Sequence, residues 1–196
     1  MTGSLDPRVP DAPDAPEAPE SQHRYQVRFD VGLDGARRIG ASAHLLVWCD
    51  GLASEPVPLE ALPPHVEVID ARCGAVQAIA RRLLALQAAR GERTMVAVVA
   101  AGAPVDAPKG IPIEDHLLAG AVIDALGAVG IDATSPEAAV AAAAYQGVRG
   151  AAAHMLTASV GGRMLANIAG ADAVRAARAR WESTELVVLK HVDLPA

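Results

Sequence analysis

A chain of 196 residues that is 52% hydrophobic but only 3% aromatic is long enough for one well-buried domain, whose core must be built from Ala, Val, Leu and Ile. The formal net charge is −6, and residues 1–22 contribute most of it: Asp6, Asp11, Asp14, Glu17 and Glu20 stand there against Arg8. The near-neutral remainder has no basic stripe or aromatic platform, which argues against nucleic-acid binding. No apolar run reaches the roughly 18 residues a membrane helix needs.

The N-terminus is rich in Pro and Asp instead of basic and then apolar, unlike a secretory signal. From Pro10 to Glu20 a proline falls at every third position. Such a segment makes neither helix nor ladder and buries little, so residues 1–22 are expected to be a disordered acidic tail and 23–196 the folded domain. Cys49 and Cys73 lack a CxxC spacing and read as two reduced thiols of a cytoplasmic protein.

Gln26–Asp30 alternates as a strand, and Gly32–Ile39 reads as a short helix closed by Gly40. Leu45–Cys49 is an apolar strand stopped by Asp50-Gly51, and Val66–Ile69 is a second, ending at Asp70. Ala75–Arg90 is predicted as a helix with Arg81, Arg82 and Arg90 outward and Gly91 as its stop. Met95–Ala100 is the next strand, and Ile113–Ala128 the next helix, ended by Gly130. Ser135 caps a helix with Pro136 in its first turn, which runs to about Tyr145. Helices over Val148–Thr157, Gly161–Ile168 and Ala171–Trp181 follow, then a strand over Leu186–Lys190. Apolar strands alternating with helices predict a mostly parallel sheet covered on both faces, a three-layer α/β/α fold with a helical C-terminal half.

In a parallel sheet the C-terminal strand ends share one edge, where open α/β folds place their ligands. Asp50, Asp70 and the Glu114/Asp115 pair all fall there. Asp50 is either a ligand for a hard cation or a plain turn residue before Gly51. Glu114 and Asp115 either handle a cation or a proton, or complement the dipole at a helix start. Gly102 would permit close approach of backbone to a ligand. Ser159-Val-Gly-Gly-Arg163 is either an anion cradle at a helix start or a glycine-rich connection bearing a surface arginine. The histidines show no metal-ligand spacing, and there is no phosphate loop, GxGxxG or GxSxG.

Several segments, in order, resemble the 2-phosphosulfolactate phosphatase family over roughly residues 25–190. They are Tyr25–Ala36, Leu45–Asp50, Gly74–Ala80, Val96–Gly102, Ile113–Leu126 and Ser159–Leu165. Glu114-Asp115-His-Leu-Leu-Ala-Gly120-Ala is similar to that family's Glu-Asp-x-x-x-Ala-Gly-Ala, and Ser159-Val-Gly-Gly-Arg163-Met-Leu165 to its Ser-Gly-Arg-x-Leu. The resemblance implies magnesium-dependent hydrolysis of 2-phospho-3-sulfolactate to 3-sulfolactate and phosphate, a step of coenzyme M biosynthesis. It implies Asp50, Glu114 and Asp115 as catalytic and magnesium-handling groups, and Gly102, Ser159 and Arg163 as contacts to a small phosphorylated anion.

The chain also departs from that pattern. Asp50-Gly-Leu-Ala-Ser-Glu55 replaces an arginine- and hydroxyl-bearing loop, a Thr-Thr-Asn-Gly-Thr loop is missing, and Ala103 stands where an acid is usual. Two readings therefore stand side by side: a phosphatase, or a catalytically depleted relative that binds a partner or small anion. Close packing of Ala/Gly-rich helices adds a homodimer as a further expectation.

Overall fold

The computed structural model describes residues 19–53, 55–102 and 111–192. The expected tail up to residue 18, and Ala103, lie outside the described residues. Pro19–Ser21 forms one 3-10 turn, and the Gln22 carboxamide reaches back to the main chain of Phe29, donating to its oxygen at 2.9 Å and accepting from its N–H at 3.1 Å.

Among the described residues five strands form one sheet, in the order β1 (Val27–Val31), β4 (Val96–Ala100), β2 (Leu45–Cys49), β3 (Glu67–Asp70), β5 (Val187–Lys190). The first four are mutually parallel and β5 runs antiparallel to β3. β2 and β4 are buried along their whole length, which is why they read as unbroken apolar runs instead of alternating ones. The register sets Val31 and Cys49 beside Ala100, and Trp48 beside Asp70, so four strands end along one edge.

The helices are α1 (Gly32–Gly40), α2 (Val76–Arg90), α3 (Ile113–Ala128), α4 (Pro136–Val148), α5 (Ala152–Ala158) and α6 (Val160–Glu182). Gly91 closes α2 with φ of 66°, its N–H bonded to the Gln87 oxygen at 3.0 Å, and Ser135 caps α4 by accepting from Ala138 N–H at 3.1 Å. The boundary expected near Tyr145 is displaced: α4 runs to Val148, and a 3-10 turn over Arg149–Ala151 separates it from α5. Alanine offers no stop signal, so nothing local ends α4 at Tyr145. Within α6, Gly170 (φ 82°, ψ 177°) breaks the helix between the two segments expected from sequence.

Successive strand residues point to opposite faces, and each face meets its own apolar cluster. Leu46, Trp48, Val68, Ala97 and Val99 pack with Ala36 and Ile39 of α1 and with Leu62. Val27, Leu45, Val47, Ile69, Val96 and Val98 pack with α2 and α3 and, through Trp181, with the end of α6. α3 and α4 cross at Gly120, where an added Cβ would overlap the Ala141 oxygen and lie 2.8 Å from Tyr145 Cβ.

Arg82 departs from the outward placement expected for it. Its guanidinium holds the buried Glu67 carboxylate through two bonds of 2.8 and 2.5 Å, fastening α2 to β3. Burial of Glu67 requires such a partner, because an unpaired carboxylate there would be strongly destabilising. Arg81 is exposed as expected. No helix among the described residues is long and apolar enough to cross a membrane.

Candidate functional site

The strand-end edge brings Asp50, Glu114 and Asp115 together. Asp50 follows β2 directly, and the two other acids lie in the first turn of α3, which packs behind β4. All three are buried, with relative exposures of 7%, 6% and 3%. Burial on this scale separates them from ordinary helix-dipole acids, which sit in solvent.

Each acid is held differently. The Asp115 carboxylate bridges two strand-end loops: Oδ1 accepts the Gly51 N–H at 2.8 Å and Oδ2 accepts the Gly102 N–H at 3.0 Å. Gly102 reaches this position with φ of 89°, in the left-handed region that glycine adopts without strain. Asp50 turns back on its own loop, accepting from Leu52 N–H at 3.1 Å and from Glu55 N–H at 3.5 Å. The Glu114 carboxylate has no hydrogen bond or cationic partner among the described residues. Its Oε1 lies against Gly161 at the start of α6.

Burial pushes the Asp115 carboxyl up to about 8. The Gly51 N–H opposes that rise, the charges of Asp50 and Glu114 add to it, and the Gly102 N–H opposes it again. Near neutral pH this acid therefore keeps its proton while sitting beside two other carboxyls. The thiol of Cys49, buried under the same cluster, is also driven up by burial and by the nearby acids, so it is not a nucleophile. Cys73 is raised by burial and lies 4.0 Å from the Tyr145 hydroxyl.

The expected anion contacts are differently employed. Ser159 is the N-cap of α6, its Oγ accepting from Gly162 N–H at 2.9 Å and donating to the Leu156 oxygen at 3.1 Å. Gly102 gives its N–H to Asp115. Arg163 is exposed; its main-chain N–H donates to the Ser159 oxygen at 3.0 Å, and its guanidinium has no hydrogen bond or ion pair with a described residue. What α6 does bring to the acids is Gly161, where an alanine Cβ would overlap Glu114 Oε1 and fall 2.9 Å from Leu52 Cδ1. Both atoms are tips of flexible side chains, so Gly161→Ala should displace them with a net change in stability within about 1 kcal/mol, helix propensity offsetting the displacement. A urea midpoint lowered well beyond that would show that the Glu114 and Leu52 side chains cannot yield.

Sequence reasoning missed Arg180. From the last turn of α6 its NH1 donates to the Asp50 main-chain oxygen at 2.7 Å, and its NH2 pairs with the Asp70 carboxylate. Arg72 lies 3.9 Å from the other oxygen of Asp70 and bonds Glu185 at 2.8 Å. Arg180 stands 130 positions from Asp50, among similar arginines at 175 and 178, and no spacing marks it out.

Among the described residues no group of three or more His, Cys, Asp or Glu side chains is placed to hold a metal ion. Both oxygens of Asp115 are bonded to backbone N–H groups. Magnesium is also commonly held by one or two carboxylates, with water and substrate phosphate completing its shell. Glu114, whose carboxylate has no hydrogen-bond or cationic partner among the described residues, fits that smaller role beside Asp50. Compared with models of known protein families and with curated proteins, the chain matches none.

Proposed function

We propose that this chain is a phosphomonoester hydrolase for a small, multiply anionic substrate of the 2-phosphosulfolactate type. The observation that carries the reading is the burial of Asp50, Glu114 and Asp115 at the ligand-binding edge of a parallel sheet. Each carboxyl buried in such a group raises the cost of ionising the next, so the cluster costs stability that a role in chemistry would account for. The same proposal takes the fold as a three-layer α/β/α unit, supported by one apolar cluster on each sheet face.

In this reading Asp50 and Glu114 handle the attacking water and would hold magnesium, which when bound supplies positive charge opposite the phosphoryl oxygens. Asp115 keeps its proton near neutral pH and fixes the distance between the Gly51 and Gly102 loops. It is a framework group and a local proton reservoir. The test is phosphate release from racemic 2-phosphosulfolactate, with and without magnesium, for the wild-type chain and for Asp50→Asn and Glu114→Gln. Release that depends on magnesium should fall by roughly 10²–10⁴-fold in either variant. Wild-type release no greater than that of the variants would remove the hydrolase reading.

One observation favours the alternative of a catalytically depleted relative that binds a partner or small anion. Ser159 and Gly102 have their polar groups engaged within the fold, and Arg163 is free of the acid cluster. The same assay distinguishes the two, because a depleted relative releases no phosphate while remaining folded by circular dichroism.

A further inference from the structure

We propose that Arg180 is a positioning residue for Asp50, locking the loop after β2 from the far end of the chain. This rests on the reading of Asp50 as a group of the hydrolase site. The lock is built in steps that the sequence supplies. Ala177 and Trp181 of α6 are buried in the main core, which sets the helix end against the sheet. The 3-10 turn Cys73–Ala75 after β3 receives that end at Gly74, where any Cβ would overlap the Glu182 oxygen and lie 2.6 Å from the Ser183 oxygen. Only glycine lets the two backbones come so close.

With the helix end seated, the Arg180 side chain spans two neighbouring strand ends. NH1 grips the Asp50 main-chain oxygen at 2.7 Å while NH2 is held by Asp70, the last residue of β3. Asp70 also faces the Arg72 guanidinium, so the acceptor that steadies Arg180 is itself steadied. A planar guanidinium with two donors engaged on different strands fixes direction as well as distance, which a lysine ammonium does not. The grip falls on the main chain of Asp50, leaving its carboxylate to Leu52 and Glu55 N–H groups and to the site. Small displacements of a reacting group lower rates steeply, about 10²-fold for 1 Å.

The test compares Arg180→Gln and Arg180→Lys in the full chain, with Arg178→Gln as the neighbouring control. Arg178 is exposed and pairs along the helix with Glu182 at 3.0 Å. Hydrogen exchange at the Gly51 and Leu52 amides should quicken at least roughly tenfold in Arg180→Gln, as a local opening. The β4 amides should be unchanged, and Arg180→Lys should lie between. With 2-phosphosulfolactate, Arg180→Gln should lower kcat by roughly 10–100-fold with KM within about threefold. In an Asp50→Asn background it should lower kcat no further, since it acts through Asp50. Exchange that is unchanged, or quickened uniformly along the chain, overturns the proposal, and so does an additive loss of kcat. If the wild-type chain releases no phosphate, the hydrolase reading fails and the exchange pattern alone decides whether Arg180 locks the loop.

Discussion

Asp115→Ala should destabilise the protein by about 1–4 kcal/mol at pH 5–6, because it orphans one buried donor worth roughly 1–3 kcal/mol and a half-buried one worth less. The donors are the Gly51 and Gly102 N–H groups, which have no other partner among the described residues. A domain is stable by only about 5–15 kcal/mol, so this loss is large and readable as a urea midpoint. The pH dependence has a definite sign. Burial raises the folded-state pKa of Asp115 to about 8, above the unfolded value of 3.8, so the folded state holds the proton longer. Its contribution to stability therefore declines as pH rises from near 4 towards 8, and levels off above that. In magnesium-free buffer the wild-type Tm should fall across that window, and Asp115→Asn, which cannot ionise, should flatten the fall. A wild-type profile with no fall would show that Asp115 ionises normally and that the cluster is wetter than its burial implies.

Gly120→Val should be the most damaging single change in the helical half. The position has no room: the added Cβ alone would overlap the Ala141 oxygen and crowd Tyr145 Cβ at 2.8 Å, and both belong to α4. Main chain cannot yield as a flexible side-chain tip can, so α3 and α4 must separate. Gly120→Ala is expected to cost about 1–3 kcal/mol, more than the roughly 1 kcal/mol that alanine returns in helix propensity. Valine adds two methyl groups to that clash and should leave little folded protein. Gly127, on the same helix, provides the contrast, since an added Cβ there meets nothing within 4 Å. Gly127→Ala should be neutral or stabilising by up to about 1 kcal/mol. Equal effects at the two positions, measured by thermal denaturation, would contradict the α3–α4 packing.

The elements most legible in the sequence are those whose signals are local. β2 and β4 are five-residue apolar runs, α3 occupies the predicted Ile113–Ala128, and Gly91 and Ser135-Pro136 end and start helices as such residues do. α4 and α5 were less legible because polyalanine is helical everywhere and its stop depends on packing. The strand order and the reversal of β5 follow from contacts between distant segments, which periodicity does not encode. At the site, the meeting of Asp50 with Glu114 and Asp115 could be read from strand ends alone. The division of labour could not: the bridging by Asp115, the self-capping of Ser159 and the reach of Arg180 depend on which backbone groups were left without partners once the chain had folded.

The Gln22 carboxamide has a consequence for how this protein behaves in a crowded solution. β1 is an outer strand, and its outward N–H and C=O groups are a template on which another chain could polymerise. At Val27 that template is occupied by the segment around Ala133 and Ser135, and at Phe29 by Gln22, whose amide plays the part of one further peptide unit. Lateral growth of the sheet is thereby terminated on that side by a side chain imitating a strand. The terminator sits where the acidic N-terminal segment joins the domain, so proteolytic trimming past residue 22 would bare a sticky edge that the intact chain keeps sealed.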